Sequence, residues 1–500
     1  MPAEAMARSP QPAARAAFWA AALICDLIVL VWLSRIPMLA AAVGVAIAAV
    51  FLVRRAEALL AFLFVGMPFL APLQLRDGAA LALLLGPRLL FLGAWALAVR
   101  HPSAVGVGRA IARVLADPGV LCTLGLALLL WIGLARSPAP IYGGGKARSF
   151  LLANVSLYAA PLLLWPRWRN AGGLDRFLRA AILIGALFAA VGVAAALGGG
   201  GVLGARIGAP SPSGGVPARL SWLGSDPIWT ARLLAIWLVL LGWGATRRLV
   251  RPGIVVLLAA AGVYLMLRTG SRGPLVALLL SPVALLLLPG GARASGRGTF
   301  LRIARIAVPA IVLLGILLLV VLPDVERARL AAILLRAPLG ETADAGDRLL
   351  QDPSVAFRVE MVRRSLTALT DGLPWGWGTG AFPATLFLRD FRLYPHNLEV
   401  EVLIELGLPG MLLLLGFLVF TLAHARRLAR RSVTGRWLLL LAFMALLNAQ
   451  VSGDITGNGE LWFWAGMIGG LWIAARDSGL ALGDPTRPAP VRILPASPSA

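Results

Sequence analysis

Three histidines occur in 500 residues, and one of them stands where an imidazole can do chemistry. His396 falls in Tyr394-Pro395-His396-Asn397, directly ahead of an apolar run that begins at Leu398. Asn397 suits an N-cap, and Glu399 and Glu401 place acid in the first turn of the helix that follows. His396 then sits at the positive end of a helix dipole, which disfavours the imidazolium and leaves a neutral ring able to accept a proton. The same position also suits a polar side chain that anchors a helix at headgroup level, and the local sequence leaves both readings open. His101 and His424 lie in or beside arginine-bearing connections and read as solvated.

Glu405 follows on the same helix, one turn beyond Glu401 and roughly 13 Å along the axis from His396. An ionisable group at that depth is costly, and it faces a cavity or a partner. Substrate contact and an ion pair inside the bundle are the two readings. Gly407, Pro409 and Gly410 then predict a kink or a close neighbour. Arginines supply the complementary chemistry. Arg268 and Arg272 flank the tight turn Thr269-Gly270-Ser271, Arg206 and Arg219 lie between residues 198 and 227, and Arg358 lies further along. A guanidinium grips phosphate oxygens with two parallel hydrogen bonds and keeps its charge at any relevant pH. Interface anchoring is the competing explanation for each of them. Arg88, inside an apolar run, has no assigned role. No His, Asp or Glu cluster has metal-ligand spacing, so neither a metal nor another cofactor is expected.

The elements that must position these residues are membrane helices. The chain is 59% hydrophobic and 14% charged, whereas a soluble domain is about half apolar and about a quarter charged. Apolar runs at 18–33, 36–53, 58–75, 79–99, 120–135, 150–165, 177–197, 228–245, 254–267, 275–288, 306–322, 398–423, 437–451 and 461–475 are of membrane-crossing length. They predict an all-α polytopic membrane protein of about 12–14 transmembrane helices with one large outer loop. The run at 18–33 has signal-peptide features, but no soluble domain follows it, so it reads as the first helix. The net charge of +23 sits mostly in short arginine clusters on alternate connections. That is a topology signal and not a nucleic-acid footprint, and it places both termini in the cytoplasm. Cys25 and Cys122 both lie in apolar runs, which excludes a disulfide framework.

Three outer segments are longer: the Gly- and Pro-rich 136–149, an irregular loop at 198–227, and 323–395. In the last, residues 356–370 repeat apolar residues at helical spacing with Arg358, Arg363 and Arg364 on the polar side. That predicts an amphipathic helix over the bundle, stopped by Asp371-Gly372. The expected organisation is a cytoplasmic tail (1–17), N-terminal helices (18–197), a site-bearing region (198–410) that includes loop 323–395, C-terminal helices (411–475) and a Pro-rich cytoplasmic tail (476–500).

Together these segments resemble the O-antigen ligase family of bacterial membrane glycosyltransferases, which includes related O-antigen and exopolysaccharide polymerases. The resemblance rests on Arg219-Leu220-Ser221 ahead of a helix, on Ser271-Arg272-Gly273, and on Arg358 leading through Pro374 to Gly376-Trp377-Gly378-Thr379-Gly380-Ala381-Phe382. It rests most specifically on His396-Asn397 with Glu405, Gly407 and Gly410 at matching spacing. Asp226-Pro227-Ile228 departs from the Pro-Asn of many relatives. The resemblance implies a GT-C-like fold and a site facing the periplasm from the bacterial inner membrane. It implies a glycan donor on undecaprenyl pyrophosphate, a sugar-hydroxyl acceptor (lipid A–core for a ligase), and inversion without a metal. It gives His396, Arg272 and Arg219 catalytic roles, and it gives Arg206, Arg268, Arg358, Asn397 and Glu405 substrate contacts. Membrane lipids surround the protein, and no nucleic acid is involved. A polymerase of the same family is the near alternative. A polysaccharide transporter or flippase is a distant one, because the unusual residues cluster on one face and no internal repeat is present. A non-catalytic scaffold is the third. Arg272→Lys keeps the charge but loses the fork, so transfer should fall by about ten-fold or more while membrane insertion stays normal. Wild-type transfer by that variant removes Arg272 from the site.

Overall fold

Prolines begin the helices, and short polar side chains cap them. Pro118, Pro140, Pro227 and Pro252 occupy first helical positions, where a missing N–H costs nothing. The side chains of Asp117, Asp226, Asn397 and Ser432 accept backbone N–H bonds that the helix itself leaves open. The computed structural model describes residues 56–66, 107–169, 171–198, 205–207, 220–222, 226–286 and 353–478. The expected spans at 18–33, 36–53, 79–99 and 306–322 lie outside those residues, as do Arg88, Arg219 and the end of the tail.

In chain order, α1 (Ala56–Ala61) runs into a π turn (Phe62–Gly66), followed by α2 (Val107–Leu115), α3 (Pro118–Leu134) and α4 (Pro140–Ser149). A second π turn (Phe150–Asn154) leads to α5 (Val155–Leu163), α6 (Trp165–Trp168) and α7 (Ala171–Gly198). Strands β1 (Ala205–Ile207) and β2 (Leu220–Trp222) pair antiparallel, with Arg206 opposite Ser221. Then come α8 (Pro227–Thr246), α9 (Pro252–Thr269), α10 (Arg272–Leu286), α11 (Pro353–Gly372) and α12 (Ala381–Phe387). The chain continues through α13 (Leu398–Arg431), α14 (Val433–Ala449) and α15 (Gly459–Ser478). Helix α13 packs on α3 and α14, α15 on α5, and α8 on α9.

Among the described residues four helices are long and apolar enough to cross a bilayer, or five if the bent pair α2–α3 is one span. Val256, Leu257 and Leu412 are each 69% exposed on the bundle's outer surface, where hydrocarbon and not water would cover them. The chain is an all-α polytopic membrane protein, with the β1–β2 ribbon as a short addition at one end.

The bundle has two unlike rims. One carries Arg426, Arg427, Arg430 and Arg431 at the end of α13, with the pairs Arg169–Asp477 at 3.3 Å, Arg176–Glu57 at 2.6 Å and Arg247–Asp175. The starts of α8, α10, α13 and α15 meet the ends of α9 and α14 at the other. The amphipathic helix expected at 356–370 is α11, and it ends at Gly372 as the Asp-Gly pair predicts.

Three expectations are corrected. Residues 136–149 are not a loop, because most of them form α4. Its glycines are poor helix formers, and tertiary contacts hold it instead. Asp390 caps it by accepting from the N–H groups of Ile141 (2.8 Å) and Tyr142 (3.0 Å). Within the stretch 198–227, residues 205–207 and 220–222 form a strand pair. His424 is buried and not solvated, because α15 covers it: its ring stacks on Trp472 at 5.3 Å, and its Nδ1 lies 3.9 Å from Asp117 Oδ2.

The kink expected near Gly407 is a full break (φ 65°, ψ −157°). The Leu408 N–H turns away from Ile404 and donates to Pro374 O at 2.8 Å. Pro409 has no N–H to offer Glu405. The two freed carbonyls accept instead from Trp377 N (2.8 Å) and Gly378 N (2.9 Å) of the loop 374–380. A Cβ on Gly407 would stand 2.1 Å from Pro374 O, and one on Gly376 (φ 75°) 2.5 Å from Gly407 N. Gly407→Ala adds backbone strain and overpacking, so it should cost about 2–5 kcal/mol. The expected readout is earlier thermal unfolding in detergent, and an unchanged transition would show that the loop does not need this close approach.

Candidate functional site

The site is built at the rim where α13 starts. Asn397 Oδ1 accepts from Val400 N at 3.0 Å, as an N-cap should. Its Nδ2 donates to Gln450 Oε1 at 2.9 Å, and Gln450 donates in turn to Glu399 Oε1 at 2.8 Å. The end of α14 therefore fixes the orientation of the cap. One residue earlier, His396 takes a left-handed backbone (φ 61°), a conformation that costs a non-glycine residue roughly 1–3 kcal/mol. Its ring lies 4.5 Å from Tyr394 and 6.1 Å from Phe357, and Nδ1 is buried without a hydrogen-bond partner. Burial, and then the Arg358 charge, push its pKa down to about 4, against the opposing pull of the Asp226 and Asp454 carboxylates.

Those charges show which parts of the chain meet here. Arg358 belongs to α11. Asp226 caps α8, accepting from Ile228 N at 2.8 Å, just after β2. Asp454 comes from the loop between α14 and α15. Ser271-Arg272-Gly273 approaches from another side. Gly270 caps α9 in the left-handed region (φ 62°), and the Thr269 hydroxyl accepts from Ser271 N at 3.2 Å. A Cβ on Gly273 would lie 3.2 Å from Val451, the residue after the Gln450 that holds Asn397. The structure thus draws the Arg272 turn, Arg358 and His396-Asn397 to one corner, with Arg268 at the last turn of α9. Arg206 lies on β1 of the ribbon. Arg219 lies outside the described residues, next in sequence to Leu220, where β2 begins.

Glu405 is placed differently from a substrate contact. It is 1% exposed, and both its oxygens are engaged: Oε1 accepts from Lys146 Nζ at 2.6 Å, and Oε2 from Gly380 N at 2.8 Å. Glu401 shares the ammonium at 2.7 Å and also accepts from Ile455 N at 3.2 Å. Tyr142 OH donates to Asp454 Oδ2 at 2.9 Å, and Arg392 Nε stands 3.7 Å from the same oxygen. Burial opposes charge on Asp454. The Lys146 and Arg392 cations, with hydrogen bonds from Thr456 and Tyr142, nevertheless hold its carboxyl below the usual range. Arg392 also lies 5.9 Å from the Tyr394 ring, which touches His396.

Lys146, Tyr142, Arg392 and Asp454 were not legible as site residues from spacing. One signal did point to Lys146: it is the only lysine among the chain's 46 lysine and arginine residues. A further buried cation, Arg232 of α8, pins the 452–458 loop through Asn458 Oδ1 (3.0 Å), Glu460 Oε1 (2.9 Å) and the Asn448 carbonyl (2.7 Å).

The arrangement offers a neutral imidazole beside a guanidinium, at a rim built from segments that are distant in sequence. It suits proton acceptance next to an anionic group. No curated protein matches this sequence. A family model described as O-antigen ligase matches residues 254–415, from α9 into α13, and takes in Arg268, Arg272, Arg358, the 374–380 loop and His396. Through that stretch the chain is similar to the O-antigen ligase family.

Proposed function

We propose that the protein is an O-antigen ligase: a glycosyltransferase that moves a glycan from undecaprenyl pyrophosphate to a hydroxyl of lipid A–core at the periplasmic face of the inner membrane. The acceptor oxygen attacks the anomeric carbon from the face opposite the diphosphate. The bond from that carbon to the phosphate oxygen breaks, and the configuration inverts. His396 takes the acceptor proton as the new bond forms, and Asn397 holds its backbone in place. Arg272 and Arg219 face the leaving lipid diphosphate, whose charge grows as the bond breaks. Fixed donors aimed at such charge are the kind of preorganised electrostatics that speed transfer. Arg206, Arg268 and Arg358 extend the anion-binding surface.

The observation that carries the reading is His396 itself. It is held on a left-handed backbone, kept neutral by burial and by Arg358, and joined to the Arg272 turn through Asn397, Gln450 and Val451. His396→Ala should lower transfer by about 10²–10⁴-fold while the protein stays inserted. Glycan analysis of a deletion strain tests the acceptor. Long chains stranded on the lipid carrier fit a ligase, and cores capped with single repeats fit a polymerase instead.

The pH dependence follows from the direction of the His396 shift. Its folded pKa is lowered from 6.5 to about 4, so the ring stays neutral down to that range. kcat/KM should hold through mildly acidic pH and fall only as the pH drops through about 4. Between 6.5 and about 4 the unfolded chain binds the proton that the folded protein refuses, so acidification across that window also removes stability. An acid limb near 6.5 in a kcat/KM–pH profile, which reports the donor-free enzyme, would be inconsistent with His396 as the base.

A further inference from the structure

Every other strong cation in this chain is an arginine, yet the position between Glu401 and Glu405 holds the lone lysine. Its ammonium is 2.7 Å from Glu401 Oε1 and 2.6 Å from Glu405 Oε1, with its side chain fully buried. The amine sits 4.7 Å from the centre of the Tyr142 ring. A compact point charge fits this gap, whereas a guanidinium is broader and planar. The second oxygen of Glu401 is buried without a partner, so the ammonium and the Ile455 N–H are what hold that carboxylate.

Each carboxylate passes the restraint on to a different segment. Glu405 grips Gly380 N at 2.8 Å, at the end of the loop stitched to the break in α13. Glu401 grips Ile455 N at 3.2 Å, beside the Asp454 whose charge acts on His396. Tyr142, one turn before Lys146, ties α4 to Asp454 at 2.9 Å. We infer that Lys146 is a positioning residue of the transfer site: by clamping Glu401 and Glu405 it sets the 374–380 and 452–458 loops against the start of α13, and so fixes where His396 stands. The inference rests on the proposed transferase reading and adds a residue that acts through others, without touching substrate.

The test uses the full-length protein reconstituted in vesicles, with an oligosaccharide on a polyprenyl diphosphate as donor probe. Kinetics are normalised to folded protein and measured well below the unfolding temperature. Lys146→Met should lower kcat by at least about twenty-fold and change the donor KM by less than about three-fold, because the reacting groups are misplaced while the arginines remain. Asp175→Asn, which breaks an ion pair at the opposite rim, serves as the control and should leave both constants unchanged. A clamp that matters only for folding would reduce the yield of Lys146→Met yet leave its kcat per folded molecule intact, and that result overturns the inference. If Lys146→Met does not accumulate, Glu405→Gln carries the test. It keeps an oxygen for Gly380 and loses the ionic half of the clamp, so its kcat should fall about ten-fold, and an unchanged kcat again overturns the inference. The two readings fail separately. No transfer by wild type, or equal transfer by His396→Ala, sinks the transferase, whereas wild-type transfer with an unimpaired Lys146→Met sinks only the clamp.

Discussion

A helix broken inside hydrocarbon must find donors for the carbonyls it frees, because no water is there to supply them. The break in α13 meets that demand with one loop. Trp377 and Gly378 donate to Ile404 and Glu405, and Leu408 donates back to Pro374. The exchange works only at backbone-to-backbone distance, which explains glycine at both Gly376 and Gly407. It also explains the placement of the rim. The loop leads into α12 and then to the start of α13, so the segment that carries His396 is held at both ends by one helix.

Charge at that rim is arranged in two depths. Deeper in, Lys146, Glu401, Glu405 and Asp454 are buried and paired with one another or with backbone. Removing one partner of such a group leaves a charge uncompensated and costs about 3–5 kcal/mol. Nearer the surface, Arg392 is more open, with its side chain 63% exposed. The deep layer resists rearrangement, and the outer layer is available to anions. The opposite rim has partly exposed pairs such as Arg169–Asp477, which suit a water-facing surface and contribute little individually.

The sequence made the apolar helices legible because hydrocarbon thickness imposes a length on apolar runs, and α3, α7, α8, α9, α13, α14 and α15 fall where the runs do. It made the Asn397 cap, the α13 break and the α11 helix legible because each is a local rule written within a few residues. It failed for α4, because a run of three glycines after a proline reads as loop until Asp390, some 250 residues away, caps it. It failed for His424 in the same way, since an arginine-rich neighbourhood suggests water and only the tertiary fold reveals Trp472 over the ring. Glu405 shows the limit most clearly. Its place on the α13 helix follows from the sequence, but the choice between substrate contact and ion pair turned on Lys146, which lies in a segment that looked unstructured.

His396 and Arg358 bear on each other in a way that matters for the proposed transfer. Burial, and after it the Arg358 charge, lower the proton affinity of the imidazole, which keeps the base unprotonated but weak. A lipid diphosphate bound among the arginines would offset that cation. The proton affinity of His396 would then rise as the donor arrives, and it would rise further as the leaving group gains charge. The base is thus strongest when the acceptor hydroxyl has a sugar to attack, and weakest when it could only titrate with solvent. The same pairing explains why the site tolerates a histidine on strained backbone. The strain fixes the ring where burial, and after it the Arg358 charge, set how readily it holds a proton.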